Sequence, residues 1–472
     1  MKLKKTAAVL LSMVMTVAAL SGCGGGGQTK TTQAPPKETT APAPATQAES
    51  QAENDETQAE AQQPKGDVTL RLWAHWGSEQ RRPTIEKIIA GFNEKYASQG
   101  ISAEYVYVPF NDIETKMTAS ITAGNTANCV ITGVEDLNAK AMRNQATDIT
   151  EYISDDIPGQ FNERFWDMVK WNDKVYSLPF VVETHMVYYN KAMFQEAGIK
   201  AEDIKTWDDM INACKKLDET LKGKDNYMIA FYPTLGNFGF QSVALANNGG
   251  IYDKAIDPEK PRLTDKENIE ALEHMKVFAD MYGKDTIQSV IASDANGAQD
   301  LFLSGKLAMI GQSSAYLATI EKYNGGNIDY GVFPYPAGPS ATGDHPTTYG
   351  DGFVVTVPYG AENVPESVLL AEYVATEGAA IWGAEQKEFM ACTKANDNAN
   401  SALVGWNEVT EMMDYTIIVQ DSIYAPNAET NMQQAVDAIC KDFTATDPTE
   451  VFTEAQNVIE KAIEDEKFIF GE

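Results

Sequence analysis

Histidine, cysteine and positive charge are what this 472-residue sequence has least of. Four His and five Cys are poor material for a multi-metal centre and too few for a disulfide scaffold. The 37 basic residues stand against 68 acidic ones, a net charge of −31. So negative a surface repels phosphate backbones and anionic headgroups, which argues against nucleic acid as a partner and against electrostatic attachment to membranes. Beyond Leu20 no run reaches the roughly 18 apolar residues of a spanning helix.

The signatures of several chemistries are missing as well. Gly305-Lys306 lacks both the preceding glycine and the following hydroxyl of a phosphate-binding loop, and Gly350-Asp351-Gly352 runs into Phe353-Val354-Val355 with no third glycine. Gly311-Gln312-Ser313-Ser314-Ala315 fails at its last position as a nucleophile elbow. His75 and Glu79 are four apart, but no second pair of His or Cys clusters near them to complete a zinc site. Asp294-Ala295-Asn296-Gly297 opens like a calcium loop, yet Gly305 occupies the position of its final carboxylate. The expectation is a protein with no cofactor, no resident metal and no bond chemistry. Carboxylates are so numerous that a glycosidase pair is impossible to read from spacing, and a surface glycoside hydrolase stays open as an alternative.

What is present begins with an address. Lys2, Lys4 and Lys5 precede the apolar stretch Ala7 to Leu20, which ends in Leu20-Ser21-Gly22-Cys23. The order resembles the bacterial lipoprotein signal, which implies that residues 1–22 are removed and Cys23 is lipidated. From Gly24 to Gly66 there is no Val, Ile, Leu, Met, Phe, Trp, Tyr or Cys. Such a segment has nothing to offset the entropy of ordering, so 23–66 is expected to be a disordered tether with a reach on the order of 35 Å. Anchor and tether together imply a domain on the outer face of the bacterial cytoplasmic membrane.

From residue 67 the pattern alternates. Val68 to Trp73 and Ile101 to Val108 read as strands, and Cys129 to Thr132 as a short buried one. Ile85, Ile88, Ile89, Phe92 and Tyr96 share one helical face, and Ile113 to Ala123 reads as a further helix. Thr206 with Asp209 forms a capping box ahead of Trp207, Met210, Ile211, Cys214 and Leu217. Asp447-Pro448 opens a last helix with Val451, Phe452, Ala455, Val458, Ile459 and Ile463 as its inner face. This rhythm favours an α/β class, and the length after residue 66 favours two lobes with a cleft. Cys129, Cys214, Cys392 and Cys440 are compatible with two disulfides or with buried free thiols.

Three ordered stretches narrow the reading: "DKVYSLPF", "VYYNKAMFQEAGI" and "TWDDM" within 148–215, "AQDLFLSGKLAMIGQSSAY" at 298–316, and "YGVFPYP" followed by "GDGFVV" within 330–355. Together they resemble the extracellular solute-binding proteins of family 1. The resemblance implies a two-lobed periplasmic-binding-protein-like α/β fold with a hinge and a central ligand cleft. It puts 67–182 and 335–381 in the N-terminal lobe, and 183–334 and 382–472 in the C-terminal one. It further implies a monomer that captures a mono- or oligosaccharide and delivers it to the transmembrane permease subunits of an ABC importer. A polyamine, peptide or metal as cargo is the alternative on the same fold. Many relatives carry a Trp just after the "GKLAM" element, where this chain has Ser313, Ser314 and Tyr316.

A sugar needs paired partners for its hydroxyls and flat rings for its C–H faces, which amides, carboxyls and aromatics supply. Trp76, just past the first strand, is a stacking candidate, with Glu79 in the same loop. Asn111 and Asp112 follow the second strand and Glu135 and Asp136 the third, at the strand ends where open α/β sheets bind ligands. Asp351 stands between two glycines that let a ligand approach the backbone. Glu183 and His185 are candidates at the implied crossing, the resemblance implies that Asn237 and Phe238 of a glycine-flanked loop reach the cleft, and Ser313 and Tyr316 are candidates after "GKLAM". Trp73, Tyr188 and Tyr189 read as structural.

Overall fold

The computed structural model describes residues 67–471 apart from 254–256, 296, 398 and 426, so the expected signal, Cys23 and the tether lie outside the described residues. Among the described residues twelve strands follow in chain order: β1 (Val68–Ala74), β2 (Ile101–Tyr107), β3 (Cys129–Gly133), β4 (Lys170–Trp171), β5 (Lys174–Val175), β6 (Ser177–Asn190), β7 (Tyr252–Asp253), β8 (Asp257–Pro261), β9 (Met309–Ser313), β10 (Tyr330–Phe333), β11 (Thr348–Thr356) and β12 (Thr416–Ile418). β1 lies between β2 and β3, parallel to both, and Leu70 and Leu72 are buried in the same core as the helix Arg82–Tyr96. On that helix Ile85, Ile88, Ile89 and Phe92 are buried, the stripe expected from their spacing.

β6 organises the molecule. Its first half, Ser177 to Thr184, pairs antiparallel with β11, which itself pairs with β3. From His185 onward it pairs instead with β9 and β10. One 14-residue strand thus belongs to two sheets, and the change of partner falls at Thr184–His185. Nearly every residue of β6 is buried, which explains the apolar runs Leu178–Val182 and Met186–Tyr189 on either side of Glu183-Thr184-His185, where a one-faced strand would alternate. The Thr184 hydroxyl donates to Thr348 at 3.1 Å and accepts from Thr416 at 2.7 Å, fastening β6, β11 and β12 together. The result is an α/β fold of two lobes joined through crossing strands.

Contacts outside the strands show where other segments pack. Residues around 337 and 338 lie on the C-terminal side: Ala337 bridges Thr206, and the Gly338 N–H donates to Ala246 at 3.0 Å. The chain therefore changes sides close to β11, later than the expected 335. Trp382 packs on Trp76 with ring centres 3.9 Å apart, and Met390 and Cys392 bridge Val181 and Phe161. Asn400 still donates to the Gly383 carbonyl at 2.7 Å, whereas Val404 meets β10, accepting from the Tyr330 hydroxyl at 3.0 Å, so the chain changes side again between them.

The capping box of Thr206 and Asp209 opens the helix Trp207–Leu221. Asp447 caps the helix Pro448–Phe470, whose buried line is Phe452, Ala455, Ile459 and Ile463. Val458 is corrected to solvent at 52% exposure, since it lies about 100° around the helix from Ile459. All four described cysteines are buried and free.

Candidate functional site

A cavity of about 550 Å³ opens where the two sheets share β6, within the size range of small-molecule sites. From the β1–β3 side it is lined by His75, Arg81, Phe110 and Phe353, and Glu183 stands at the crossing. From the other side come Asn237, Asp300, Gln312, Ser313, Tyr316 and Tyr323. At its mouth Lys322 Nζ on the helix Tyr316–Tyr323 donates to Gln80 Oε1 at 3.5 Å.

His75 follows β1 directly and is packed among the rings of Phe110, Phe353 and Trp76 at 5.0, 4.9 and 5.1 Å. Burial and the neighbouring Arg81 charge lower its pKa to about 4, so it is a neutral imidazole at physiological pH. Arg81 is held by a relay: its Nη2 donates to Glu388 Oε1 at 2.6 Å, while Glu388 Oε2 accepts from the Trp382 indole at 2.6 Å. Glu388 is buried, so the guanidinium is fixed from behind with the cavity in front of it.

Glu183 on β6 stands directly opposite Asp351 on β11. Burial first, then the charges of Asp351 and Glu388, push its pKa to about 8. A carboxyl kept neutral can donate a hydrogen bond as well as accept one. His185, two residues on, approaches Asp351 Oδ2 with Nε2 at 3.3 Å and rests against Tyr349. Glu135 lies near Asp351 and Asp136, with a pKa raised to about 7 chiefly by burial. Glu429, from the helix Ala428–Cys440, is raised too, by burial and then by Asp351 and Asp136.

The other wall is built from glycine. Gly236 has φ +74°, and a Cβ there would meet the Gly311 carbonyl at 2.2 Å, so only glycine lets this loop lie on β9. The Asn237 N–H then donates to Gln312 Oε1 at 3.0 Å. Tyr316 donates to Asp300 Oδ1 at 2.5 Å, and the same oxygen accepts from the Phe302 and Leu303 N–H groups. Phe110 and Tyr323 expose ring faces, at 53% and 38%.

Of the residues singled out from sequence, Glu183, Asn237, Ser313 and Tyr316 meet at this cavity, and His185, Asp351 and Glu135 adjoin it through the Asp351 carboxylate. The remainder lie elsewhere. Trp76 is 2% exposed, its ring covered by Trp382 and Phe180, so it is a core residue and has no face for a solute. Phe238 is buried against Gly311, where a Cβ would come within 2.4 Å of its ring. Glu79 is exposed beyond the lining, and Asn111 and Asp112 are exposed in the first turn of the helix Phe110–Thr122. Asp136 precedes the helix Leu137–Met142 and faces a separate surface hollow with Lys140 and Arg143. From sequence, His75 is weighed only against a zinc site and Gln312 and Phe353 only within motifs that fail, and Arg81, Phe110 and Asp300 are passed over as site residues. The strand-end rule that selected Trp76 and Asn111 applies equally to their neighbours His75 and Phe110. Among the described residues no group of three His, Cys, Asp or Glu is placed to hold a metal, and no helix is long and apolar enough to cross a membrane.

A two-lobed α/β fold with a polar cavity at the strand crossing defines a binding protein of the periplasmic type. The model of the bacterial extracellular solute-binding proteins matches residues 76–381, and the chain belongs to that family. A binding protein of Brucella abortus is 25% identical over 366 residues, covering 74% of this chain and 81% of that one. The maltooligosaccharide ABC transporter solute-binding lipoprotein of Streptococcus pneumoniae R6 is 27% identical over 237 residues, 48% of this chain and 52% of that one. The solved structure of CpMnBP1 with mannobiose bound superposes with a TM-score of 0.71 at 19% identity, covering 83% of this chain and all of that one.

Proposed function

We propose that this chain is the carbohydrate-capturing subunit of an ABC importer, a monomer held on the outer face of the cytoplasmic membrane by lipid on Cys23. The observation that carries the reading is the lining of the 550 Å³ cavity: a fixed guanidinium, a neutral carboxyl and imidazole, amides and exposed rings. That inventory pairs with hydroxyls and C–H faces and contains no activated nucleophile. The names of the pneumococcal lipoprotein and the mannobiose complex support sugar as the cargo class. The nearby carboxyls would favour a cationic solute such as a polyamine if all were charged. Burial pushes Glu135 to about 7 and Glu183 to about 8, which reduces that negative charge near neutral pH and favours an uncharged polyol, and it raises Glu429 from its ordinary value as well.

Calorimetric titration with mannobiose, mannotriose and maltotriose, followed by recovery of the sugar, tests the reading. At least one should bind at micromolar affinity or better and be returned unchanged. Heat from a polyamine panel with flat saccharide traces would overturn the sugar assignment, and consumption of the sugar would favour a hydrolase.

A further inference from the structure

We propose a second small-molecule site, in the C-terminal lobe, for an uncharged ligand with an aromatic or aliphatic body and one hydroxyl. A cavity of about 310 Å³ lies between the helix Gly239–Leu245, the loop 248–252 and β12, and it shares no lining residue with the solute cavity. Gln241 and Leu245, one helical turn apart, present the same face to it, with Ile251, Ile417 and Val419 as aliphatic walls.

Strand alternation gives its position. Phe353 and Asp351 turn toward the solute cavity and its margin, and Tyr349 and Thr347 continue the same face of β11 and its lead-in. Thr347 lines the second cavity, and Ile417, opposite Tyr349 in register, lines it too. The two cavities therefore lie along one sheet face with Tyr349 between them.

One polar atom indicates the ligand. Gln241, a lining residue, is 3% exposed and its Oε1 is buried with no hydrogen-bond partner. Buried groups in that state are rare in folded proteins and call for a missing partner. The amide oxygen needs a donor, which a hydroxyl provides. Charge is disfavoured. The one cation in the lining, Arg262, already meets Asp265 at 3.0 Å and Glu267 at 3.3 Å, and no carboxylate lines the cavity.

The test uses the full chain and two probes, benzyl alcohol and toluene, followed by ligand-observed NMR. Benzyl alcohol should saturate one site, and Leu245→Trp, which fills the cavity, should weaken it by about tenfold or more. Should that variant fold poorly, Ile417→Trp closes the cavity from its half-exposed side. Gln241→Leu should reduce the preference for benzyl alcohol over toluene by about fivefold. Whatever saccharide binds the first cavity should be unaffected by these changes. Absence of saturation, or an affinity unmoved by both tryptophan variants, would overturn the site, and equal binding of toluene by the unaltered chain would overturn the hydroxyl.

Discussion

Glu183 shows most clearly how position sets chemistry. In the unfolded chain its carboxyl ionises near the ordinary value of 4.5, while the folded chain holds the proton up to about 8. The folded state therefore binds more protons between those values. The stability this group contributes is fully present below the lower one and is lost as pH rises through the upper one. Thermal melts from about pH 5 to about pH 9 should show the native chain losing more stability than Glu183→Gln, which carries no titrating proton. Parallel curves would contradict the placement. The cysteines provide a second test at this scale. Burial raises the Cys129 and Cys214 thiols, and Cys440 is raised to about 12, so none should react with a thiol reagent in the native protein. The four described cysteines, Cys392 included, should all appear on denaturation without reductant, whereas a paired set would stay silent.

Among the elements, the loop after β1 and the start of β9 divide structure from recognition. Trp76→Ala should cost about 3–5 kcal/mol by denaturant unfolding, because it empties the contact with Trp382 and Phe180. A normal midpoint combined with lost solute binding would return Trp76 to the cleft. Tyr316→Phe leaves the buried Asp300 without its hydroxyl donor and should cost about 1.5–3 kcal/mol, with a loosened cavity wall. Unchanged stability would mean that water replaces the bond without loss. The capping box, the Ile85–Phe92 stripe and the β1–β3 sheet were legible because each is a local pattern with one physical solution. Trp76 and Phe238 misled for the opposite reason. Whether a ring next to a strand end points inward depends on Trp382 and Gly311, hundreds and tens of residues away.

On the scale of the whole molecule, the two lobes followed from length and from the strand–helix rhythm, and within β6 the change of partner falls at Thr184–His185. The later changes of side were harder to foresee. Residues 337–338 and 390–392 carry no periodic signal, and tertiary bridges alone decide which lobe they join. Arg81 is the fullest case of a site residue hidden from sequence, since Glu388, which fixes it, follows 307 positions later. The account as a whole holds that solute sits between the lobes and draws them together. The most direct measurement is the distance between spin labels at Glu79→Cys and Lys322→Cys, exposed sites on opposite sides of the cavity mouth, with the four described thiols buried and Cys23 replaced by Ser. Addition of a saccharide that gives calorimetric heat should shift the distribution to its short component, with the separation expected when Lys322 meets Gln80. A distribution that stays the same with that saccharide bound would contradict it.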